Sequence, residues 1–153
     1  MKTNQRLKAE LYEHCVAFVE SRLDTIKTLI TEIEVALQSE TKSSAGDKHE
    51  TGRAMMQLER EKAGNQLAEI LKTKSVLERI QMPLESNRIG MGSLVYTTQS
   101  NYFISISAGK IDIENQTFFA ISPNTPIGLL LMGKAKDDEV QFRNAIIRIT
   151  TVI

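Results

Sequence analysis

Apolar residues in the first half of the chain recur at alternating three- and four-residue steps. The first series is Tyr12, Val16, Val19, Leu23, Ile26, Ile30, Ile33 and Leu37. Heptad spacing sustained over about four heptads is typical of a coiled-coil helix. The same period resumes further along at Met56, Ala63, Leu67, Ile70 and Leu77, with Arg60 and Lys74 at two further positions of the series. The pattern predicts two long helices, over about 5–41 and 47–81.

A short polar segment separates these two predicted helices. Residues 39–46 read Ser-Glu-Thr-Lys-Ser-Ser-Ala-Gly, which is a turn-forming composition. Two heptad helices joined by a short polar loop fold most simply as an antiparallel hairpin. The sequence therefore predicts a coiled-coil arm over residues 1–82, with its tip near 39–50. The second helix alone would be about 50 Å long at about 1.5 Å per residue.

The period of the apolar pattern changes to two in the second half. Strand candidates with turn residues between them lie at 94–98, 102–106, 110–114 and 117–121, and a last hairpin pairs 138–142 with 145–152. One short helix is predicted over 126–132, because Thr125 suits the N-cap, Pro126 the first helical position and Gly133 the position after the end. The fold class is therefore α+β. Residues 83–89 form the predicted linker and residues 90–153 an antiparallel sheet domain of about six strands.

Charge and composition exclude several classes of protein. Lys plus Arg and Asp plus Glu both number 19, so the formal net charge is zero. This balance argues against a nucleic-acid binder that works through bulk positive charge. No apolar run approaches the roughly 18 residues of a membrane span, and the N-terminus lacks the apolar core of a signal peptide. The single cysteine, Cys15, rules out an intramolecular disulfide, so a cytoplasmic protein with no membrane partner is expected.

Two carboxylates stand at the start of the second predicted helix. Asp47 and Glu50 are three residues apart, so they occupy adjacent turns of one helix face. One interpretation is a capping box, with Asp47 as the N-cap and Glu50 at the third helical position. The other is a pair of hard oxygen ligands for a divalent cation. Because Mg²⁺ takes six oxygen ligands, two carboxylates from this chain need another molecule to complete such a site.

The tip and the second half together carry a family resemblance. Residues 46–51 read Gly-Asp-Lys-His-Glu-Thr, and residues 125–134 read Thr-Pro-Ile-Gly-Leu-Leu-Leu-Met-Gly-Lys, followed by Asp-Asp-Glu at 137–139. In this order and at these separations the chain resembles the bacterial Gre transcript-cleavage factors. Those transcription elongation factors join an N-terminal helical hairpin, whose tip carries G-D-x-x-E-N, to a globular domain of FKBP-like topology. The resemblance covers nearly the whole chain.

The resemblance implies a function that needs a partner. Gre factors bind RNA polymerase and insert the hairpin into its secondary channel. On this basis Asp47 and Glu50 are the catalytic carboxylates and the Mg²⁺ ligands, the ion being shared with the polymerase. The polymerase then cleaves the backtracked nascent RNA near its 3′ end. The chain would thus activate the polymerase nuclease and would not itself be an enzyme.

Two departures from the family motif keep other functions open. Thr51 stands where the family has Asn, and Ala54 stands where an aromatic residue usually follows the glutamate. One alternative is a regulator that occupies the secondary channel without promoting cleavage. A third hypothesis is a peptidyl-prolyl isomerase, which would need an aromatic-lined pocket. A fourth is a coiled-coil interaction module, which would need no chemistry at the tip. The expected state is a monomer, although an exposed heptad arm could also pair with a second chain.

Residues outside the tip have plainer expected roles. Cys15 lies beside the heptad seam, so partial burial is expected, and His14 should face solvent. Two aromatic pairs, Tyr102–Phe103 and Phe118–Phe119, lie on predicted strands. Since neighbouring strand residues point to opposite faces, one member of each pair should enter the core. The outward members are a candidate protein-docking patch.

Overall fold

The computed structural model describes residues 3–42, 47–81 and 86–153, with only the backbone described at 40–42 and 47–50. The predicted tip turn at 43–46, residue 82 at the end of the predicted arm, and residues 83–85 of the predicted linker lie outside the described residues. The chain divides into two compact units. The arm unit is Val19–Lys74, and the sheet unit combines Met1–Phe18 with Ser75–Ile153.

Two long helices form the N-terminal half, as the heptad pattern predicts. Helix α1 spans Asn4–Lys42 and helix α2 spans Asp47–Glu78. Neither is strongly apolar, so most of their stability must come from packing along one narrow stripe. Within the described ranges, no helix combines the length and the apolar character that crossing a bilayer requires.

The arm unit is held by a small apolar seam between α1 and α2. Ile26, Ile30 and Ile33 are buried against Ala63. Leu37, Leu67 and Ile70 are half-buried at the edges of this cluster. The cluster combines large side chains of α1 with a small one of α2, so the two helices can pack closely at Ala63. These residues are the ones that the heptad spacing assigns to the seam, and the antiparallel hairpin is confirmed.

Six strands follow the helices. They are β1 (Leu94–Thr97), β2 (Asn101–Ile104), β3 (Gly109–Ile113), β4 (Gln116–Ile121), β5 (Glu139–Phe142) and β6 (Ala145–Val152), in the order β3-β4-β2-β1-β6-β5. Helix α3 spans Pro126–Leu131 between β4 and β5. The predicted α+β class is thus confirmed, with every predicted strand and the short helix present. The sheet is mostly antiparallel, but β2 and β4 pair in parallel. Hairpin turns alone do not reveal this pairing, because β3 lies between β2 and β4 in sequence and at the sheet edge in space.

Turn and cap chemistry places several of these elements. Glu114–Asn115 and Arg143–Asn144 have positive φ at both residues, which matches the type I′ turns that favour two-residue hairpins. At the start of α3, Thr125 Oγ1 accepts a hydrogen bond from the Gly128 backbone N–H at 3.1 Å. This is the predicted N-cap, and it satisfies one of the free donors at the helix start.

Buried side chains lie on both faces of the sheet. Between α3 and one face lies an apolar cluster of Ile89, Val95, Tyr102, Ile104, Ile127, Leu131, Val140, Ile147 and Ile149, with Phe119 among the side chains packed against it. On the other face Leu94, Phe103 and Phe118 are fully buried. The predicted outward aromatic patch is therefore wrong: Tyr102 and Phe119 pack into the cluster with ring centroids 6.3 Å apart. In the middle of the sheet, β2 therefore buries side chains on both of its faces, whereas β3, β5 and β6 keep one face exposed.

The N-terminal part of α1 packs within the sheet unit. Leu11 and Cys15 are fully buried, whereas the predicted seam residues Tyr12 and Val16 are half-buried. The Lys8 side chain is also buried, and its ammonium donates a hydrogen bond to the Ile153 carbonyl oxygen at 3.1 Å. Tyr12 donates from its hydroxyl to the Leu77 carbonyl oxygen at 3.1 Å. The buried stripe of α1 thus changes register near Cys15, where the helix gains a second packing surface.

Candidate functional site

The start of α2 is the element that carries the predicted site. Helix α2 begins at Asp47, which places Asp47 and Glu50 in its first turn. The side chains at 40–42 and 47–50 lie outside the described residues, so the capping and ligand roles of these two carboxylates stay predictions. The first residues beyond them with described side chains include the exposed Ala54, together with Met55 and Leu58, which are 64% and 67% exposed.

Two ion pairs join the two helices behind this site. Arg60 Nε donates to Glu34 Oε1 at 3.1 Å, and Lys74 Nζ lies 3.5 Å from Glu20 Oε1. Both cations occupy positions of the heptad series that apolar residues would otherwise fill. Because all four side chains are more than a third exposed, each pair contributes little to stability. Their main effect is to favour one alignment of α2 against α1, and with it one placement of the helix start.

Metal binding by the chain on its own is not supported where side chains are described. Among those residues no three His, Cys, Asp or Glu side chains converge in a way that could hold a metal ion. Mg²⁺ prefers six oxygen ligands, and carboxylates are well suited to it. By residue type, Asp47 and Glu50 could supply two of these oxygen ligands, and a Mg²⁺ site shared with another molecule stays a prediction.

A groove that the heptad pattern does not predict runs along one side of the arm unit. Its volume is about 690 Å³, and Ile26, Leu29 and Ile70 form its apolar part. Polar and charged side chains complete the lining: Ser21, Arg22, Thr25, Lys62, Asn65, Gln66 and Glu69. Leu29 is 41% exposed, although it is apolar. The signal in the sequence was Leu29 itself, which lies one residue before the seam position Ile30 and so outside the heptad series.

A second cleft, of about 500 Å³, lies in the sheet unit. It is lined by Glu10, Glu13, His14, Ala17, Asp112, Ile113 and Glu114. His14 is exposed there, as the sequence analysis expected. The lining is acidic and open to solvent, and it brings His14 of α1 near the β3–β4 turn.

Cys15 is an inert side chain in this structure. Its Sγ lies 3.6 Å from Ser105 Oγ, and both residues are fully buried. Burial raises the pKa of the Cys15 thiol, and the hydrogen bond with Ser105 partly opposes that rise. A thiol with a raised pKa and no exposure is a poor nucleophile. Cys15 is thus more deeply buried than the sequence predicts, and its role in packing is confirmed.

Several aromatic side chains pack in the interior of the sheet unit. Tyr102, Phe103 and Phe118 are buried, and Tyr96 packs edge-on against Phe118 with ring centroids 6.0 Å apart. Burial raises the pKa of the Tyr96 hydroxyl. These rings fill the interior of the sheet unit, so they pack the core and do not line an opening.

Comparison with known proteins adds one structural likeness. No protein-family model matches the chain, and no curated protein matches it. Among solved structures, it is similar to one titled "Structure of the transcription factor Gfh1", at 18% sequence identity over 92% of each chain and a TM-score of 0.35. The fold described above rests on the helices, strand pairings and caps of this chain itself.

Proposed function

We propose that this chain is a transcription factor of the Gre type that binds RNA polymerase and stimulates cleavage of backtracked RNA. The observation that carries the proposal is the start of α2 at Asp47. It puts the two motif carboxylates, Asp47 and Glu50, in the first turn of a 32-residue helix. Such a helix is about 48 Å long, so its first turn can reach a site well inside a partner.

The proposed chemistry is divided between the chain and the polymerase. The chain presents two carboxylates, and the polymerase supplies further acidic ligands and the RNA. Mg²⁺ shared between them would stabilise developing negative charge and lower the pKa of a bound water. The arm positions the carboxylates: its buried seam and its two cross-helix ion pairs hold the helix start in one register. The chain is thus proposed to be an activator, with the polymerase as the catalyst.

Recruitment to the polymerase is proposed to depend mainly on the sheet unit. The formal charge of the whole chain is zero, so no bulk charge draws the arm towards RNA. The sheet unit, by contrast, offers a rigid surface built on a covered six-stranded sheet.

The test uses stalled, backtracked elongation complexes with labelled RNA. Adding the purified chain with Mg²⁺ should shorten the RNA from its 3′ end and leave a product that the polymerase can extend again. The chain alone should not cleave free RNA. If the chain binds the complex at a saturating concentration and the RNA keeps its length, the proposed cleavage function is wrong.

A regulator that does not promote cleavage is the second candidate. Ala54 is exposed one turn after Glu50, where the family usually has an aromatic side chain. A tip without that ring could occupy the channel and leave the RNA uncut. In the same assay this candidate predicts binding to the elongation complex and slower nucleotide addition, with no shortened RNA.

A further inference from the structure

Exposed apolar side chains occupy the outer face of α2 near its start. Met55 and Leu58 are 64% and 67% exposed, and Ala54 beside them is also exposed. None of the three belongs to the heptad series that packs against α1. Because Met55 and Leu58 are one turn apart, the three side chains form a single patch, whereas scattered apolar side chains would need no explanation. We call Ala54, Met55 and Leu58 the tip-side patch.

The tip-side patch continues the helix face on which position 47 stands. Positions 47, 51, 54 and 58 follow one another in steps of four, three and four residues, and such steps keep to one face of a helix. Leu58 lies roughly 16 Å along the helix axis from Asp47, at about 1.5 Å per residue. A molecule that meets this face at the first turn of α2 therefore also meets the patch on the next two turns.

We propose that the tip-side patch packs against an apolar protein surface of RNA polymerase, next to the place where the polymerase completes the metal site of Asp47 and Glu50. This inference rests on the proposed function and names a contact surface beside the same site. An arm whose first turn reaches a metal inside the polymerase has its next two turns enclosed as well, so the patch leaves water there. Burial of its apolar surface then favours the inserted arm without any help from charge.

The chemistry of the patch selects protein over nucleic acid as its partner. Proteins bind RNA through cations at the phosphates and through aromatic or arginine side chains at the bases. The three residues of the patch are uncharged and not aromatic, and Ala54 stands where the Gre family usually has an aromatic ring. An apolar protein surface is the partner that gains free energy by contact with such side chains.

The size of the patch argues against a second copy of the chain as the partner. Three side chains offer far less than the about 800 Å² that each partner of a standard interface buries. A patch of this size adds to an interface and does not form a stable one alone. The polymerase supplies the remaining contacts, because the first turn of α2 and the sheet unit are both proposed to bind it.

Titration of the full chain in the cleavage assay separates the patch from the carboxylates. The double variant Met55→Gln with Leu58→Gln keeps good helix formers of similar length, and circular dichroism checks that it folds. It should need at least about tenfold more chain for half-maximal cleavage, because apolar burial on insertion is lost. At saturation its cleavage rate should equal that of the wild type, since both carboxylates remain. Leu71→Gln is the matched control: Leu71 is 45% exposed on the same helix but farther from the tip, so this variant should titrate as the wild type.

Binding of the fluorescently labelled chain identifies the surface that meets the patch. The same loss should appear with polymerase that holds no nucleic acid, because the contact is made to protein. A loss seen only with the elongation complex assigns the patch to RNA and overturns the proposal, as does a double variant that binds like the wild type or a Leu71→Gln variant that loses as much. If the wild type binds polymerase without cleavage, the proposed cleavage function fails, and the binding comparison still decides the contact. A wild type that does not bind polymerase overturns both.

Discussion

The Cys15 sulfur lies 3.6 Å from the Ser105 hydroxyl oxygen, and both side chains are fully buried. This contact places the N-terminal part of α1 against the residue that follows β2. Ser105 shares its sheet face with the buried Phe103, since side chains alternate along a strand. The N-terminal part of α1 therefore belongs to the core of the sheet unit, while the same helix also forms one half of the hairpin.

The first prediction concerns the chemistry of this thiol. At pH 7.5 iodoacetamide should alkylate Cys15 in the native chain at least about a hundredfold more slowly than in urea, because burial both shields the thiol and raises its pKa. The rate is followed by mass spectrometry of the intact chain. Rapid alkylation of the native chain, with its circular dichroism unchanged, would contradict the buried contact.

The same thiol should make stability depend on pH. The folded chain holds the thiol proton more tightly than the unfolded chain does, because the folded pKa is raised. The resulting stability is fully present below the unfolded pKa, about 8.5, and is lost as pH rises through the folded pKa. The melting temperature of the wild type should thus fall more steeply between about pH 8 and 9.5 than that of Cys15→Ala. Equal slopes would show that the thiol ionises alike in both states.

The second prediction separates helix capping from metal ligation at the tip. Asp47→Asn and Glu50→Gln keep side chains that can serve a helix start, so either change should cost at most about 1 kcal/mol. A neutral amide is a poor ligand for a hard cation, and a site with few ligands tolerates no loss. Each variant should therefore bind polymerase normally and stimulate cleavage at least about tenfold less. A higher Mg²⁺ concentration should partly restore cleavage if the substitution weakened recruitment of the ion.

Glu61→Gln is the matched control, since it removes one exposed carboxylate from the same helix away from its first turn. This variant should stimulate cleavage as strongly as the wild type does. If Asp47→Asn and Glu50→Gln also stimulate cleavage at the wild-type rate, the capping box is the better interpretation. The leading function is then a regulator that binds the polymerase without promoting cleavage.

The third prediction uses two glycines with opposite surroundings. A Cβ at Gly128 would overlap the Ser122 carbonyl oxygen and lie 2.8 Å from Thr125 Oγ1, the capping atom of α3. Gly128→Ala should destabilise the chain by about 1–3 kcal/mol, because the clash involves backbone that cannot move freely. Gly52→Ala meets nothing within 4 Å and lies inside α2, so it should stabilise that helix by up to about 1 kcal/mol. Urea unfolding measures both, and a tolerated Gly128→Ala would refute the close approach.

The fourth prediction concerns the smallest unit that folds. Replacing Val19–Lys74 by a short Gly-Ser linker keeps every residue of the sheet unit and should give a cooperatively folding chain. Residues 86–153 alone lack Leu11 and Cys15, both fully buried, and should bind a hydrophobic dye and unfold at lower urea. The shortened chain should compete with the full chain for polymerase, since the sheet unit is proposed to carry most of the affinity. A folded shortened chain that does not compete would assign that affinity to the arm.

Local pattern in the sequence was sufficient for the elements of this fold. The heptad spacing located α1 and α2 because a hairpin buries one narrow stripe per helix, and that stripe has to repeat at the helical period. Thr125, Pro126 and Gly133 located α3 because caps are satisfied by neighbouring residues. The spacing of Asp47 and Glu50 placed both in the first turn of α2, where the structure also begins the helix.

Tertiary structure alone decided which surfaces those elements bury. Periodicity predicted that one member of each aromatic pair would face outward. Phe103 and Phe118 are fully buried, but Tyr102 and Phe119 also pack inward, because α3 covers their side of the sheet. The heptad period placed Tyr12 and Val16 in the seam. In the structure Leu11 and Cys15 are the buried residues of α1, because this part of the helix also packs on the sheet. Neither the parallel pairing of β2 with β4 nor the groove beside Leu29 has a local signature. The physical reason is the same in each case: burial depends on a neighbour distant in sequence, which a pattern of period 3.5 or 2 does not encode.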